Sequence, residues 1–110
     1  PDLTRWSNQG ILMLNTAFTV QIGKIGSHYD LWKEFTSHIL RSINKEFEDL
    51  PVVLLGKKAE EWELYVDKQK VYKVAHPASA AYKGGKWNSE CIFEKINTHL
   101  ESQNKTKITW

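Results

Sequence analysis

Three short apolar runs set the plan of this chain: Ile11-Leu12-Met13-Leu14, Val52-Val53-Leu54-Leu55, and Val71 to Ala75. Successive side chains of a strand point to opposite faces. A strand that is apolar at every position is therefore covered on both sides, as in parallel α/β sheets. Runs this short cannot be told from helix by periodicity alone, and their flanks decide. Gly10 and Asn15-Thr16 bound the first run, Pro51 and Gly56 the second, and His76-Pro77 closes the third. Pro77 has no N–H to give a ladder, so the chain must leave the sheet just after His76.

Helical patterns lie between and after these runs. Leu31 to Phe47 reads as a helix with one apolar stripe, Trp32, Phe35, Ile39, Ile43 and Phe47, at spacings of three and four. Gly23 and Gly26 mark a loop before it, and Ser27 or Asp30 can cap it. Lys57 to Tyr65 is moderately helical, with Ala59, Trp62 and Tyr65 in step. Asn88 or Ser89 can cap a last helix carrying Ile92, Phe93, Ile96 and Leu100. Asp2 to Asn8 reads as a short helix or turn, and Ala17 to Ile22 as an extended segment. The alternation predicts an α/β domain, a parallel sheet of three strands with helices on both faces. At 110 residues the chain supports one core and one domain, residues 1–110.

Composition narrows the function classes. Hydrophobic content of 41% and charged content of 25% are those of a globular protein. A net charge of +2 permits a nucleic-acid partner without demanding one. The single cysteine, Cys91, excludes an internal disulfide and a Cys-based zinc site and suits a reducing compartment, cytoplasmic or, in a eukaryote, nuclear. No apolar run approaches the roughly 20 residues of a membrane span. The four histidines show no metal-ligand spacing. No phosphate-cradling Gly-Lys-Ser/Thr loop and no nucleophile elbow is present. Five Trp in so short a chain lead us to expect some of them at the surface. The chain opens at Pro1 without methionine, which fits methionine removal or a piece of something longer.

Two residues stand where open α/β sheets bind ligands, at the carboxyl ends of strands. His76 follows the third run. Asn15 follows the first, and its amide can both donate and accept, so it can read the edge of a base, although turn or cap duty is the commoner use. After His76 come small residues (Ala78, Ser79, Ala80, Ala81), an aromatic (Tyr82), cations (Lys83, Lys86) and Gly84-Gly85. Such a loop suits an anionic backbone. It also fits an ordinary strand exit with a solvated basic loop.

Taken together these residues resemble the uracil-DNA glycosylase family. Trp6 to Val20 is similar to its Trp…Gln-Gly-(aliphatic)-Leu-Leu-Asn-Thr…Thr-Val segment, and Ser27 to Thr36 to its Ser-His…Trp-Glu-x-Phe-Thr stretch. Val52 to Gly56, and Asp67 to Pro77 with its His-Pro, resemble the third strand and the approach to the family's His-Pro loop. Phe93 to Asn97 and the closing Ile108-Thr109-Trp110 resemble its last helix and tail. The resemblance spans nearly the whole chain. It implies excision of uracil from DNA after base flipping, with neither metal nor cofactor. It implies that Asn15 reads the uracil edge and that His76 is the neutral electrophile. It further implies that Ala78, Ser79, Ala80, Tyr82 and Lys83 face the DNA.

Three departures qualify the resemblance. The family's water-activating Gly-Gln-Asp-Pro-Tyr-His motif is absent, for none of Asp2, Asp30, Asp49 and Asp67 precedes Pro-Tyr. In the family that motif lies ahead of the segment that begins this chain, so these residues look like the C-terminal half of a glycosylase. Ala78 replaces a phosphate-binding serine, and the wedge leucine is missing, with Ala80 nearest and Tyr82 a possible substitute. The family's Trp-Gly after the third strand is Gly56 alone. The family's sheet order is 2-1-3-4, and its strand 1 would lie between Ile11–Leu14 and Val52–Leu55. Its absence leaves apolar edges, for which three outcomes are expected. The flanking strands close up, a second copy supplies the edge, or a chain carrying the N-terminal half docks there. A glycosylase half, inactive or very weak alone, is the first functional reading. A catalytically dead DNA- or protein-binding module is the second, and a nucleotide-binding α/β domain with accidental motif matches is the third.

Overall fold

The computed structural model describes residues 2–82 and 84–110. Its sheet has two parallel strands, β1 (Val52–Leu55) and β2 (Val71–Val74), paired from Val52 with Val71 to Leu55 with Val74. The crossover between them contains a short helix (Lys57–Glu60) and two 3₁₀ turns, Glu61–Tyr65 and Lys68–Lys70. In chain order the helices are α1 (Thr4–Ser7), α2 (Tyr29–Glu46), α3 (Lys57–Glu60), α4 (Pro77–Tyr82) and α5 (Ile92–Ser102).

Alternation along the strands gives the sheet two covered faces. Val52 lines a small cavity with Leu40 and Ile43 of α2, with Phe47 just beyond it, and with Val66. Tyr72 and Val74 pack on the other side against Ile92, Phe93, Ile96 and Leu100 of α5. The α/β class and the helices on both faces agree with the expectation from sequence.

The expected third strand does not form. Ile11–Leu14 has no regular secondary structure and pairs with no strand among the described residues, and Leu12 and Met13 are 69% and 48% exposed. It has not closed onto β1 either, whose Val53 and Leu55 are exposed along the open edge. The reason lies in its anchors. Ile11 N–H donates to Trp6 O at 3.2 Å, and beyond Asn15 the Thr36 hydroxyl donates to Thr16 O at 2.9 Å. These hold the segment on α1 and α2, while an extended stretch becomes a strand only through ladder bonds to a neighbour.

Several boundaries also move. α2 begins at Tyr29, and neither Ser27 nor Asp30 caps it; the Ser27 hydroxyl accepts from Gln21 N–H at 2.8 Å instead. Within α2 the fully buried residues are Thr36 and Ser37, while Phe35 and Phe47 of the expected stripe stay exposed. α5 starts at Ile92 behind a left-handed Cys91, and the Asn88 side chain accepts from Glu90 N–H at 2.9 Å rather than capping the helix.

The tryptophans are packed rather than displayed. Trp62 is buried and the other four are half-buried. Trp6, Phe93 and Trp110 form one aromatic group, with Trp110 centred 4.7 Å from Phe93 and 5.5 Å from Trp6. Two side-chain amides hold the tail there. Gln9 exchanges hydrogen bonds with Thr109 N–H and C=O at 2.7 and 2.9 Å. Asn97 does the same with Ile108 at 2.8 and 3.0 Å.

Lys70, a residue type expected outside, is 2% exposed. Its ammonium donates to Asn44 Oδ1 at 3.3 Å and Phe47 O at 3.2 Å, and pairs with Asp67 at 3.2 Å. An ammonium has three protons to place, and all three have partners. Lys70 thereby ties the end of α2 to the start of β2.

Candidate functional site

β2 ends at Val74, and the Val74 carbonyl accepts from Gly56 N–H at 2.8 Å, which carries the ladder one step past β1. Both strands therefore leave the sheet at the same place. Gly56 has φ of +86°, and a Cβ built on it would stand 3.0 Å from His76 Cβ. Only glycine meets both conditions cheaply. Gly56→Ala should cost about 1–2 kcal/mol and displace His76. Chemical denaturation and the ring NMR shifts of His76 check this; an unchanged His76 signal would contradict the close packing.

The ring of His76 is set by the turn immediately after it. Ala78 N–H donates to His76 Nδ1 at 3.1 Å. A nitrogen that accepts carries no proton, so the hydrogen sits on Nε2, and the exposed side chain presents an N–H donor outward. The carbonyl of His76 accepts twice from Ser79, from N–H at 2.9 Å and from the hydroxyl at 2.7 Å.

The segment after His76, expected from sequence to be a loop, is helix α4. Pro77 stands at its first position, where a missing N–H costs nothing, and the alanines favour helix. Ala78 is exposed, Ser79 and Ala80 are half-buried, and Tyr82 at the end of α4 is 89% exposed. Lys83, assigned to DNA contact from the sequence, lies outside the described residues. Gly85 N–H returns to Ala80 O at 3.1 Å, and the Trp87 indole N–H donates to Ala75 O at 2.7 Å.

Asn15 is exposed at the end of the unpaired Ile11–Leu14 segment. The chain just beyond it is pinned to α2. Thr36, 1% exposed, holds the Thr16 carbonyl, and the Trp32 indole donates to the Thr19 hydroxyl at 2.7 Å. The Thr19 hydroxyl also meets His28 Nδ1 at 2.8 Å. Among the described residues no side-chain hydrogen bond engages the Asn15 amide, which leaves its donor and acceptor open.

The structure thus gathers His76, Ala78, Ser79, Ala80 and Tyr82 into one unit at the strand exit. Asn15 is held separately, on α2, and among the described residues no hydrogen bond joins it to that unit. Two cavities border α2, one inside at Leu40, Ile43 and Val52 and one outside at Leu31, Phe35 and His38; neither is lined by Asn15 or His76. Among the described residues no cluster of three His, Cys, Asp or Glu could hold a metal ion, and no helix is long and apolar enough to cross a membrane. Sequence reasoning met Thr36 only as the end of a family-like stretch, and Gly56 only as a strand stop and the remnant of the family's Trp-Gly. Neither residue type carries a signal for a contact with a distant carbonyl or side chain.

Comparison with known proteins gives a consistent picture. Residues 3–101 match the profile of the Uracil DNA glycosylase superfamily. Uracil-DNA glycosylase 2 of Bacteroides fragilis is 38% identical over 113 residues, covering 99% of this chain and 50% of that protein. Uracil-DNA glycosylase of Saimiriine herpesvirus 2 is 38% identical, covering 98% and 46%. The crystal structure of mimivirus uracil-DNA glycosylase superposes with a TM-score of 0.79 at 31% identity, over 98% of this chain and 46% of that one. A variant of the mimivirus protein in complex with UGI superposes equally well, with a TM-score of 0.79. The chain spans about half the length of the relatives it matches. By the extent of the profile match and the identity carried across the whole chain, this protein belongs to the uracil-DNA glycosylase superfamily.

Proposed function

We propose that these residues form the C-terminal half of a uracil-DNA glycosylase, supplying the electrophile and the base reader for hydrolysis of the uracil–deoxyribose bond. The observation that carries the reading is the exposed His76 ring, with Nδ1 accepting from Ala78 N–H and Nε2 without a partner among the described residues. As the glycosidic bond breaks, uracil departs with negative charge on its ring carbonyls. A fixed N–H donor aimed at one of them lowers that barrier, as an oxyanion hole does. Asn15 reads the extruded base with its free amide. Tyr82, exposed at the end of α4, inserts toward the gap in the stack, and Ala78, Ser79, Ala80 and Lys83 lie along the DNA backbone. The reaction so drawn needs neither metal nor cofactor, and it belongs where uracil-containing DNA is, in the cytoplasm or a nucleus.

No aspartate in the 110 residues precedes Pro-Tyr, so the water-activating group comes from elsewhere. The relatives are about twice as long, and β1 keeps an open edge, while Leu12 and Met13 stay exposed. A polypeptide bearing the other half of the domain fits that edge better than a second copy does. A second copy brings no missing carboxylate. On docking, Ile11–Leu14 joins the sheet and Asn15 takes its place beside His76. Without the general base the rate falls by about 10²–10⁴-fold, or roughly 3–5 kcal/mol.

The test is uracil release from a single-stranded oligonucleotide, by this chain alone and mixed with a polypeptide carrying the Gly-Gln-Asp-Pro-Tyr-His stretch. Release at least about a hundredfold faster in the mixture is expected. Strong release by the chain alone, abolished by His76→Ala, would refute the division of labour. A second reading has its own support in Ala78 and the absent wedge leucine: a DNA-binding module without activity. It predicts salt-sensitive binding indifferent to uracil and no gain on mixing.

A further inference from the structure

We infer that Trp87 is a positioning residue for His76, acting through the carbonyl of Ala75. The indole N–H of Trp87 donates to Ala75 O at 2.7 Å. Ala75 is the single residue between the end of β2 and His76, and among the described residues no backbone N–H takes its carbonyl. Gly56 N–H takes the carbonyl before it, on Val74, and Ser79 takes the carbonyl after it, on His76. The indole therefore fills the one vacant place in three consecutive carbonyls, and with it the peptide plane from which the His76 side chain springs is fixed.

Trp87 can do this because its ring is itself anchored. It packs against the core of Val74, Ile92 and Ile96, centred 6.0 Å from Phe93 at 72°. The hydrogen bond also brings Trp87 back to the residue just before His76, where α4 begins. A phenylalanine would fill the same space in the core and lose only the N–H. Packing alone does not call for tryptophan here, and the Ala75 carbonyl does.

The inference rests on the proposed role of His76, and its test separates the two. In the 110-residue chain, the Trp87 indole proton should exchange with solvent far more slowly than a free indole; exchange at the free rate would overturn the inference without any mutation. Trp87→Phe should leave the melting temperature near that of the parent while the His76 ring nitrogens and the Ala78 amide shift. Unchanged His76 and Ala78 signals would overturn it. In the mixture with the complementary polypeptide, Trp87→Phe should lower kcat about tenfold with KM unaltered. If His76→Ala abolishes release and Trp87→Phe leaves kcat intact, the inference fails and the function stands. If His76→Ala itself has no effect, the function fails, and the ring signals alone decide whether Trp87 positions His76.

Discussion

On the proposed function, His76→Ala in the mixture with the complementary polypeptide is expected to lower kcat for uracil release by about 10²–10³-fold and to leave KM for the oligonucleotide nearly unchanged. The asymmetry follows from when the contact matters. A neutral uracil carbonyl is a modest acceptor, whereas the carbonyl of a departing anion is a strong one, so the Nε2–H bond strengthens along the reaction. An interaction made chiefly in the transition state appears in kcat and not in KM. Ala78 is part of this, because its N–H on Nδ1 keeps the proton on the outward nitrogen. A His76→Ala variant that lost affinity with kcat intact would mean that the imidazole only holds DNA. His76→Gln retains a donor on a differently shaped side chain and should fall between alanine and the parent.

The second large effect concerns which base is released. Asn15→Asp should lower the preference for uracil over cytosine by about 10²–10⁴-fold, as each mispaired polar group costs roughly 1–3 kcal/mol. Uracil offers an acceptor at O4 and a donor at N3, and the amide answers with its own donor and acceptor. Cytosine offers the reverse pair at those atoms. An ionised carboxylate has no donor for O4 but accepts from the cytosine amino group. Release of both bases from matched single-stranded oligonucleotides measures the ratio directly. A ratio left at the parent value would remove Asn15 from base recognition.

Such reading requires an amide that cannot turn over. In this chain the segment beyond Asn15 is fixed through Thr16 and Thr19, while the amide itself has no side-chain partner among the described residues. The selectivity of the mixture should therefore exceed that of any weak release by the chain alone. On the proposed function, a docked polypeptide would seat Asn15.

Much of this was legible in the order of residues. The helices α2 and α5 announced themselves by apolar spacing, and β1 and β2 by short apolar runs with Gly and Pro at their ends. The helical spacing is a local effect, set by neighbours three or four places away, whereas an apolar run only nominates a strand and a ladder partner completes it. The Asn-Thr-x-x-Thr-Val and His-Pro stretches likewise named the family before any coordinates. Tertiary structure decided what local effects cannot. Ile11–Leu14 has the composition of a strand and no partner to pair with among the described residues. Lys70 is buried because Asn44, Phe47 and Asp67 converge on its ammonium. Trp87 found the Ala75 carbonyl twelve residues back. Each depends on a contact between distant parts of the chain, and such contacts form only where the fold brings both partners together.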